Sequence, residues 1–260
     1  MYKRIEIIAF SLLLGGCVTF NPATQKKEVI LISDANEMAL GRQVAKSLAK
    51  KEKLYRGVDS LARVEKVGFK VASVSDRQNV RYEFHILDNK ELNAVSLPGG
   101  FVYINKGLLD KLNDDELAFV LGHEVGHVAA RHAVKKLQAN LAFDLLMNIT
   151  LSATQAGQLN GAASAARATG SAYNLISLGY SRKDEYFADL LGLRYAFKAG
   201  FSPNGAISAL EKIKKEESVG GVRLLTYLRT HPYVDDRIKV MRKNILDLTG
   251  NTVDGAVMKK

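Results

Sequence analysis

The chain has 260 residues and a formal net charge of +10, from 37 Lys and Arg against 27 Asp and Glu. With 47% hydrophobic and 25% charged residues, its composition is that of an ordinary globular protein. The basic residues are scattered and accompany no nucleic-acid-binding motif, so we predict no nucleic-acid partner. No run of eighteen apolar residues occurs, which argues against a membrane-spanning helix.

The first residues are predicted to be a targeting sequence. Lys3 and Arg4 precede an apolar run over residues 7–14, and small residues then lead to Cys17. A basic start, a short apolar core and small residues are typical of a secretory signal. Because Cys17 is the only cysteine, an exported chain of this sequence has no internal disulfide.

The stretch that ends at Cys17 resembles a bacterial lipobox. The resemblance implies cleavage before this residue and lipid chains on it, which hold the protein on a membrane without a spanning helix. The alternative is a signal peptide followed by an ordinary cysteine. We predict a signal peptide over residues 1–16 and a lipidated tether over residues 17–33. By resemblance to lipoprotein sorting in Gram-negative cells, Val18 after the cysteine, rather than Asp, predicts an outer-membrane lipoprotein that faces the periplasm.

Periodic patterns begin after the tether. Apolar residues at spacings of three and four predict two helices over residues 36–74, separated near Gly57. Alternation over residues 80–88 predicts a strand that leaves His85 on its polar face. A Pro-Gly-Gly turn then precedes a second predicted strand over residues 101–105.

The rest of the chain is predicted to be helical. Asn113 and Glu116 have the spacing of a capping box at the start of the next helix. Further helices are predicted at the ranges 181–200, 207–217 and 233–248. Residues 145–166 carry no charge but are too polar to span a bilayer, and we predict a helical hairpin or mobile cover that gates the site.

These elements predict the fold class α+β, predominantly α, with a small β-sheet beside the helix that follows Asn113. We predict one domain over residues 34–250 and a C-terminal tail over residues 251–260.

The stretch LGHEVGHVAARH holds three of the five histidines. His123 and His127 are four residues apart, so they project from one face of a helix. Two imidazoles at this spacing can hold one zinc ion, and Glu124 can then act as base on a water molecule. A polar surface helix is the alternative, but the apolar neighbours of these residues argue against it. His132, five residues after His127, is expected to point elsewhere, either into solvent or against a ligand from behind.

A catalytic zinc ion needs a third protein ligand and one open position. Glu185 is the candidate, and Asp189 lies four residues further on the same helix face, from where it can orient a ligating histidine. The alternative is a capped helix whose acidic first turn only complements the helix dipole. Spacing alone does not decide between the two.

Four stretches, in the order LPGGFVYINKGLLD, LGHEVGHVAARH, SRKDEYFADLLGLRYA and THPYVDDRI, resemble the CaaX-prenyl-protease/HtpX family of zinc metallopeptidases. They span roughly residues 93–240. The lipobox-like start is similar to the lipid-anchored periplasmic branch of that family, the low-osmolarity-induced protease type. The resemblance implies a gluzincin-like fold. Integral-membrane members have spanning helices that this sequence lacks, so their prenyl substrates are not carried over.

The resemblance also implies roles for individual residues. It implies one zinc ion on His123, His127 and Glu185, with Glu124 as the catalytic base and Asp189 orienting a ligand.

The stretch THPYVDDR adds two residues to the implied site. His231 is implied to be catalytic, either assisting the transition state or occupying the fourth zinc position at rest, and Arg237 is implied to orient carboxylates. Without the resemblance, His231 would be read as a loop histidine beside a proline.

We therefore predict a zinc-dependent endopeptidase that cleaves unfolded or misassembled envelope proteins, with a substrate strand added along Phe101, Val102 and Tyr103. The substrate class and a link to the outer-membrane assembly machinery come from compartment and family rather than from any residue. Two alternatives stay open. One is a chaperone-like outer-membrane protein assembly factor with a self-closed zinc site, and the other is a zinc hydrolase that acts on cell-wall peptides.

Overall fold

A computed structural model describes residues 17–140, 179–220 and 229–249. The predicted signal peptide, the predicted cover over residues 145–166 and the predicted tail over residues 251–260 lie outside these described residues. Within them, no helix is long and apolar enough to cross a membrane.

The segment predicted as a tether contains a β-hairpin instead. Strands β1 (Cys17–Asn21) and β2 (Lys26–Ile30) pair antiparallel. The turn between them forms because Asn21 Oδ1 accepts a hydrogen bond from the backbone N–H of Ala23 at 2.9 Å, a local turn that short polar side chains favour. The sequence pattern missed it because the two strands are short and mostly exposed.

Two helices follow, as the periodicity predicts. Helix α1 (Asp34–Lys51) is capped by Ser33, and helix α2 (Val58–Ser73) begins directly after Gly57, which is its N-cap residue.

The sheet consists of β3 (Glu83–Leu87), β4 (Ala94–Leu97) and β5 (Phe101–Asn105), in the spatial order β3-β5-β4. Strand β5 is parallel to β3 and antiparallel to β4. It is therefore the central strand, with both edges already paired. The prediction that a substrate strand adds along Phe101, Val102 and Tyr103 is wrong, because a central strand has no free backbone groups to offer.

The remaining elements are helices. They are α3 (Lys106–Leu109), α4 (Asp114–Ala129), α5 (residues 132–140), α6 (Arg182–Lys198), α7 (Asn204–Gly220) and α8 (Val234–Thr249). The capping box of Asn113 and Glu116 is present at the start of α4, and Gly200 follows α6 with a φ of 87°. The predicted fold class, α+β and predominantly α, is confirmed.

Helix α4 is the centre of the fold, because its residues from Glu116 to Ala129 are all buried. It packs most extensively on α6, at a contact built from glycines. A Cβ atom at Gly122 would lie 2.9 Å from the carbonyl oxygen of Gly192, and one at Gly192 would lie 2.7 Å from the backbone nitrogen of His123. Only residues without a side chain allow the two backbones to approach this closely.

A buried ion pair joins α1 to the start of the sheet. Arg77 donates to both carboxylate oxygens of Glu37 at 2.8 Å, and also to the carbonyl oxygen of Val128 at 3.2 Å. Glu37 accepts in addition from the backbone N–H of Gly99, at the turn between β4 and β5. This pair therefore fixes α1, the end of α4 and the β4–β5 turn together.

We expect Arg77→Ala to lower the free energy of unfolding by about 2–3 kcal/mol, because the buried Glu37 would lose two hydrogen bonds of 2.8 Å and keep only Arg131 at 3.3 Å as a charged partner. Urea unfolding followed by circular dichroism measures the change. Arg242→Ala is the matched control, since it removes an exposed pair with Glu211 and should cost less than about 1 kcal/mol. Equal losses in the two variants would contradict a structural role for the buried pair.

Candidate metal centre

The H-E-x-x-H pattern lies on the buried central helix. His123 and His127 are on the face of α4 that is turned toward α6, and their Nε2 atoms are 3.0 Å apart. Helix α6 starts with a capping box formed by Ser181 and Asp184, which leaves the carboxylate of Glu185 free to face the same point. Glu185 lies 3.5 Å from His123 Nε2 and 3.4 Å from His127 Nε2.

His231 completes the cluster from the loop before α8. Its Nδ1 is 3.2 Å from His123 Nε2 and 3.2 Å from Glu185 Oε1. The four donor atoms of His123, His127, Glu185 and His231 all lie within 4.8 Å of one another, and all four residues are buried. The structure therefore brings together each predicted ligand and His231.

Asp189 and Arg237 support the cluster from behind, as the predicted roles require. Asp189 is 2.9 Å from His123 Nδ1, and Arg237 donates two hydrogen bonds of 2.7 Å to the same carboxylate. Arg237 also lies 3.2 Å from Glu185 and donates to the backbone carbonyl of His231. A single buried guanidinium thus ties α6, α8 and the His231 loop to one another.

In this cluster, burial and neighbouring positive charges shift the pKa values of the carboxylates in opposite directions. Burial raises the pKa of Asp189, but the guanidinium of Arg237 outweighs burial and holds that pKa below its ordinary value. Burial likewise raises the pKa of Glu185, and the opposing charges of His231 and Arg237 hold it well below its ordinary value. Both carboxylates are therefore ionised, as ligands and orienting groups must be.

Glu124 differs from the other acidic groups. It is 1% exposed, and among the residues that the structure describes neither carboxylate oxygen has a hydrogen-bond partner. Its closest charged neighbour is His231, whose Nε2 lies 3.4 Å from Oε1. A buried carboxylate without hydrogen bonds is costly, and such groups occur where chemistry requires them.

Two further residues belong to the site: Tyr180, which the sequence analysis did not place there, and His132, for which support of a ligand from behind was one of two expectations. Tyr180, the residue before the cap of α6, stacks on the ring of His127 at 4.1 Å. His132 is buried, and its Nδ1 is 2.8 Å from Nδ1 of His127. It supports a predicted ligand from behind and does not face solvent.

The position of His132 has a backbone cause. Helix α4 ends at Ala129, and Arg131 adopts a φ of 57°, so the chain turns before α5 begins. Helical spacing no longer applies across this turn, and an i+5 residue returns to the same side. No sequence pattern indicates this turn, because Arg rarely adopts a positive φ.

His132 determines which nitrogen of His127 carries its proton. A neutral His127 that offers Nε2 to a metal holds the proton on Nδ1 and donates it to Nδ1 of His132. The proton of His132 is then on Nε2, which lies 3.6 Å from Asp184. His123 is oriented by a carboxylate and His127 by a second imidazole.

We expect His132→Leu to weaken zinc binding about 10–100-fold, because His127 loses the acceptor that orients it. His132→Asn should retain most of the affinity, since its side-chain oxygen takes the place of Nδ1. Competition with a chromophoric chelator measures both. His85→Leu is the control, on β3 away from the cluster. Equally weak binding by the Asn and Leu variants would show that His132 contributes packing alone.

The residues of this cluster lie within a region that matches a known protein family. A family described as "Peptidase family M48" matches residues 60–245, which include the whole cluster. Mitochondrial metalloendopeptidase OMA1 of Arabidopsis thaliana is 33% identical over 178 residues, which are 68% of this chain and 34% of that protein. Metalloprotease LoiP of Escherichia coli (strain K12) is 27% identical over 226 residues, 84% of this chain and 88% of that protein.

A third relative is larger than this chain. Beta-barrel assembly-enhancing protease of Escherichia coli (strain K12) is 25% identical over 213 residues, 80% of this chain and 43% of that protein. The chain thus spans less than half the length of this relative and about a third of the Arabidopsis one.

Proposed function

Since the chain belongs to peptidase family M48, we propose that it is a zinc-dependent endopeptidase that cleaves unfolded or misassembled envelope proteins. The observation that carries this proposal is the buried set of His123, His127, Glu185 and His231 donor atoms beside the unpartnered carboxylate of Glu124. A purely structural metal site has no need of such a carboxylate.

The cluster fits one zinc ion. Two imidazole nitrogens and one carboxylate are a ligand set typical of catalytic zinc. Glu124, Glu185 and Asp189 bring three carboxyl groups into a buried space that also holds the guanidinium of Arg237. A divalent cation among them would offset buried negative charge, which an uncharged occupant would leave unopposed.

Each residue has a distinct proposed task. His123, His127 and Glu185 hold the metal, which when bound supplies a Lewis acid that activates water and polarises the scissile carbonyl. Glu124 takes a proton from the attacking water on its free carboxylate and delivers it to the leaving amine. Asp189 keeps His123 in the tautomer that offers Nε2, and Arg237 keeps Asp189 ionised.

The two ring nitrogens of His231 have different neighbours, and each supports one of the two roles predicted for this residue. Its Nδ1 lies among the ligand atoms, which suits a fourth zinc ligand at rest. Its Nε2 faces Glu124 and the carbonyl of Ala94, which suits a donor to the transition state. Burial lowers the pKa of His231, but the carboxylates of Glu185 and Glu124 outweigh burial and raise it above its ordinary value.

The edge of β4 is the proposed place for an extended substrate. The carbonyl of Asn93 accepts from the backbone N–H of Asn105 at 2.9 Å, so alternate residues from Asn93 onward face β5. The backbone groups of Ala94 and Ser96 therefore face the other way, and Ala94 accepts from His231 at 3.3 Å. A peptide strand paired with these groups would pass directly beside the cluster.

We expect Ser96→Pro to reduce kcat/KM on an unfolded substrate about fivefold, because it removes one outward N–H worth about 1 kcal/mol without touching a β4–β5 bond. Ser96→Ala is the matched control and should behave like the parent, since it keeps the N–H. Zinc content and melting temperature should match in all three proteins. An unchanged kcat/KM in the Pro variant would place the substrate elsewhere.

The compartment and the natural substrates are part of the same proposal. We propose lipidation at Cys17 and attachment to the outer membrane on the periplasmic side. One relative is named for enhancing β-barrel assembly, which supports misassembled outer-membrane proteins as substrates and the assembly machinery as a partner.

A chaperone-like assembly factor with a self-closed zinc site is the second candidate. It is favoured by one observation, that Nδ1 of His231 lies within the ligand set. In this case His231 would fill the position that water needs.

We expect the zinc-loaded mature chain to cleave unfolded casein and Glu124→Gln to lose about 10²–10⁴-fold in rate, because the amide cannot accept a proton. The two proteins should bind zinc equally, which a chelator assay checks. Equal cleavage by both would contradict the role of Glu124. If neither cleaves, His231→Ala separates the candidates: activity would indicate a self-closed protease, and continued inactivity would favour the chaperone-like factor.

A further inference from the structure

The N-terminal hairpin has one apolar face that is turned away from the protein. In the register of β1 and β2, Val18 is opposite Val29 and Phe20 is opposite Lys27. These side chains share a face, because successive residues in a strand alternate sides. Val18, Phe20, Val29 and the following Leu31 are 63%, 56%, 59% and 51% exposed. We call these four residues the hairpin face.

The opposite face is held firmly against the domain. Ile30 is buried, and Glu28 forms an ion pair with Lys135 of α5. Gln138 of the same helix accepts from the backbone N–H of Leu31 at 2.9 Å. The hairpin is therefore oriented by specific contacts, and its apolar side faces outward as a consequence of them.

Within the described residues, the hairpin face does not pack against the hydrophobic core. None of the four residues of the hairpin face belongs to a hydrophobic cluster there. The hairpin also lies outside the matched family range of residues 60–245, so the catalytic fold does not require it. Grouped exposed apolar side chains typically mark a surface that contacts a membrane or another protein.

The position of Cys17 favours a membrane. Strand β1 begins at this residue, so lipid attached there would leave no flexible spacer before the fold. Lys27 lies on the same side as the hairpin face and opposite Phe20, where its amine can reach lipid phosphates while its stem stays among apolar groups. Lys26 adds a second exposed amine at the turn end of the hairpin.

We propose that the hairpin face lies on an anionic lipid bilayer and enters its interfacial region, with the end of strand β1 that carries Cys17 close to the lipid. The proposal rests on the proposed lipid anchor for its place in the cell but not on the proposed catalysis. Lipid chains hold the protein on the membrane, and the hairpin face adds a second contact whose apolar side chains enter the interfacial region. The face would also fix the orientation of the domain, so that the enzyme works at the bilayer surface rather than on a loose tether.

Binding of the mature Cys17→Ser chain to vesicles tests the hairpin face in a protein that carries no lipid anchor. We expect this protein to co-sediment with vesicles of phosphatidylethanolamine and phosphatidylglycerol. Phe20→Ser with Val29→Ser should weaken binding at least about tenfold, because two apolar side chains no longer leave water. Phe197→Ser with Val58→Ser is the matched control, since it removes one exposed Phe and one exposed Val elsewhere.

A second variant separates charge from apolar contact. Lys27→Gln should weaken binding to these vesicles and leave binding to phosphatidylcholine vesicles unchanged. Zinc affinity and the far-ultraviolet circular dichroism spectrum of every variant should match the parent, which shows that each one folds.

Three outcomes would overturn the proposal. They are no vesicle binding by the Cys17→Ser chain, an equal loss in the control pair, and a dimer in sedimentation equilibrium that only the Phe20 and Val29 changes dissociate. The last would assign the face to a second copy of the chain. An inactive enzyme that still binds vesicles would instead reject the proposed function alone.

Discussion

The site depends on the close approach of α4 and α6. Glycines at 122 and 192 let the two backbones touch, and a methyl group at either position would meet backbone atoms of the other helix. Gly126 extends the contact by one turn, where a Cβ would lie 3.0 Å from Leu191. At this separation the i,i+4 pair of one helix, His123 and His127, meets the pair on the other, Glu185 and Asp189. Larger residues would hold the same side chains too far apart to share one ion.

This geometry places charges where water cannot stabilise them. The fully buried Arg237 contacts Asp189, Glu185 and the backbone of His231, so one cation helps to keep both carboxylates ionised. Glu124 has no hydrogen bond from Arg237, and among the described residues neither of its carboxylate oxygens has a hydrogen-bond partner, so both are available for proton transfer. Among the described residues, the groups proposed to hold the ion are therefore tied by hydrogen bonds, whereas the carboxylate proposed to react has only the nearby imidazole of His231.

Local rules predicted most of the chain. The capping box of Asn113 and Glu116, the helix predicted over residues 181–200 and the spacing of His123 and His127 depend only on neighbours in sequence, and the structure contains all of them. The family resemblance supplied Glu185 and His231, which are brought to the cluster by contacts between distant segments.

The wrong predictions concern features that contacts between distant segments determine. Strand order is set by how three short strands pair, and no pattern within residues 101–105 shows that β5 is central rather than at the edge. Of the two expectations for His132, exposure to solvent is wrong, because a positive φ at Arg131 ends the helical spacing and the residue returns to the side of His127. The hairpin was read as a tether because its strands are short and largely exposed, which is also the composition of a linker.

Helix α5 contacts both the metal centre and the N-terminal hairpin. Its first residue, His132, contacts the metal-facing His127, and one and two turns later Lys135 and Gln138 hold the hairpin. A rigid helix transmits the position of one end to the other, because its backbone hydrogen bonds resist bending. One short helix therefore both orients a histidine of the metal centre and holds the hairpin.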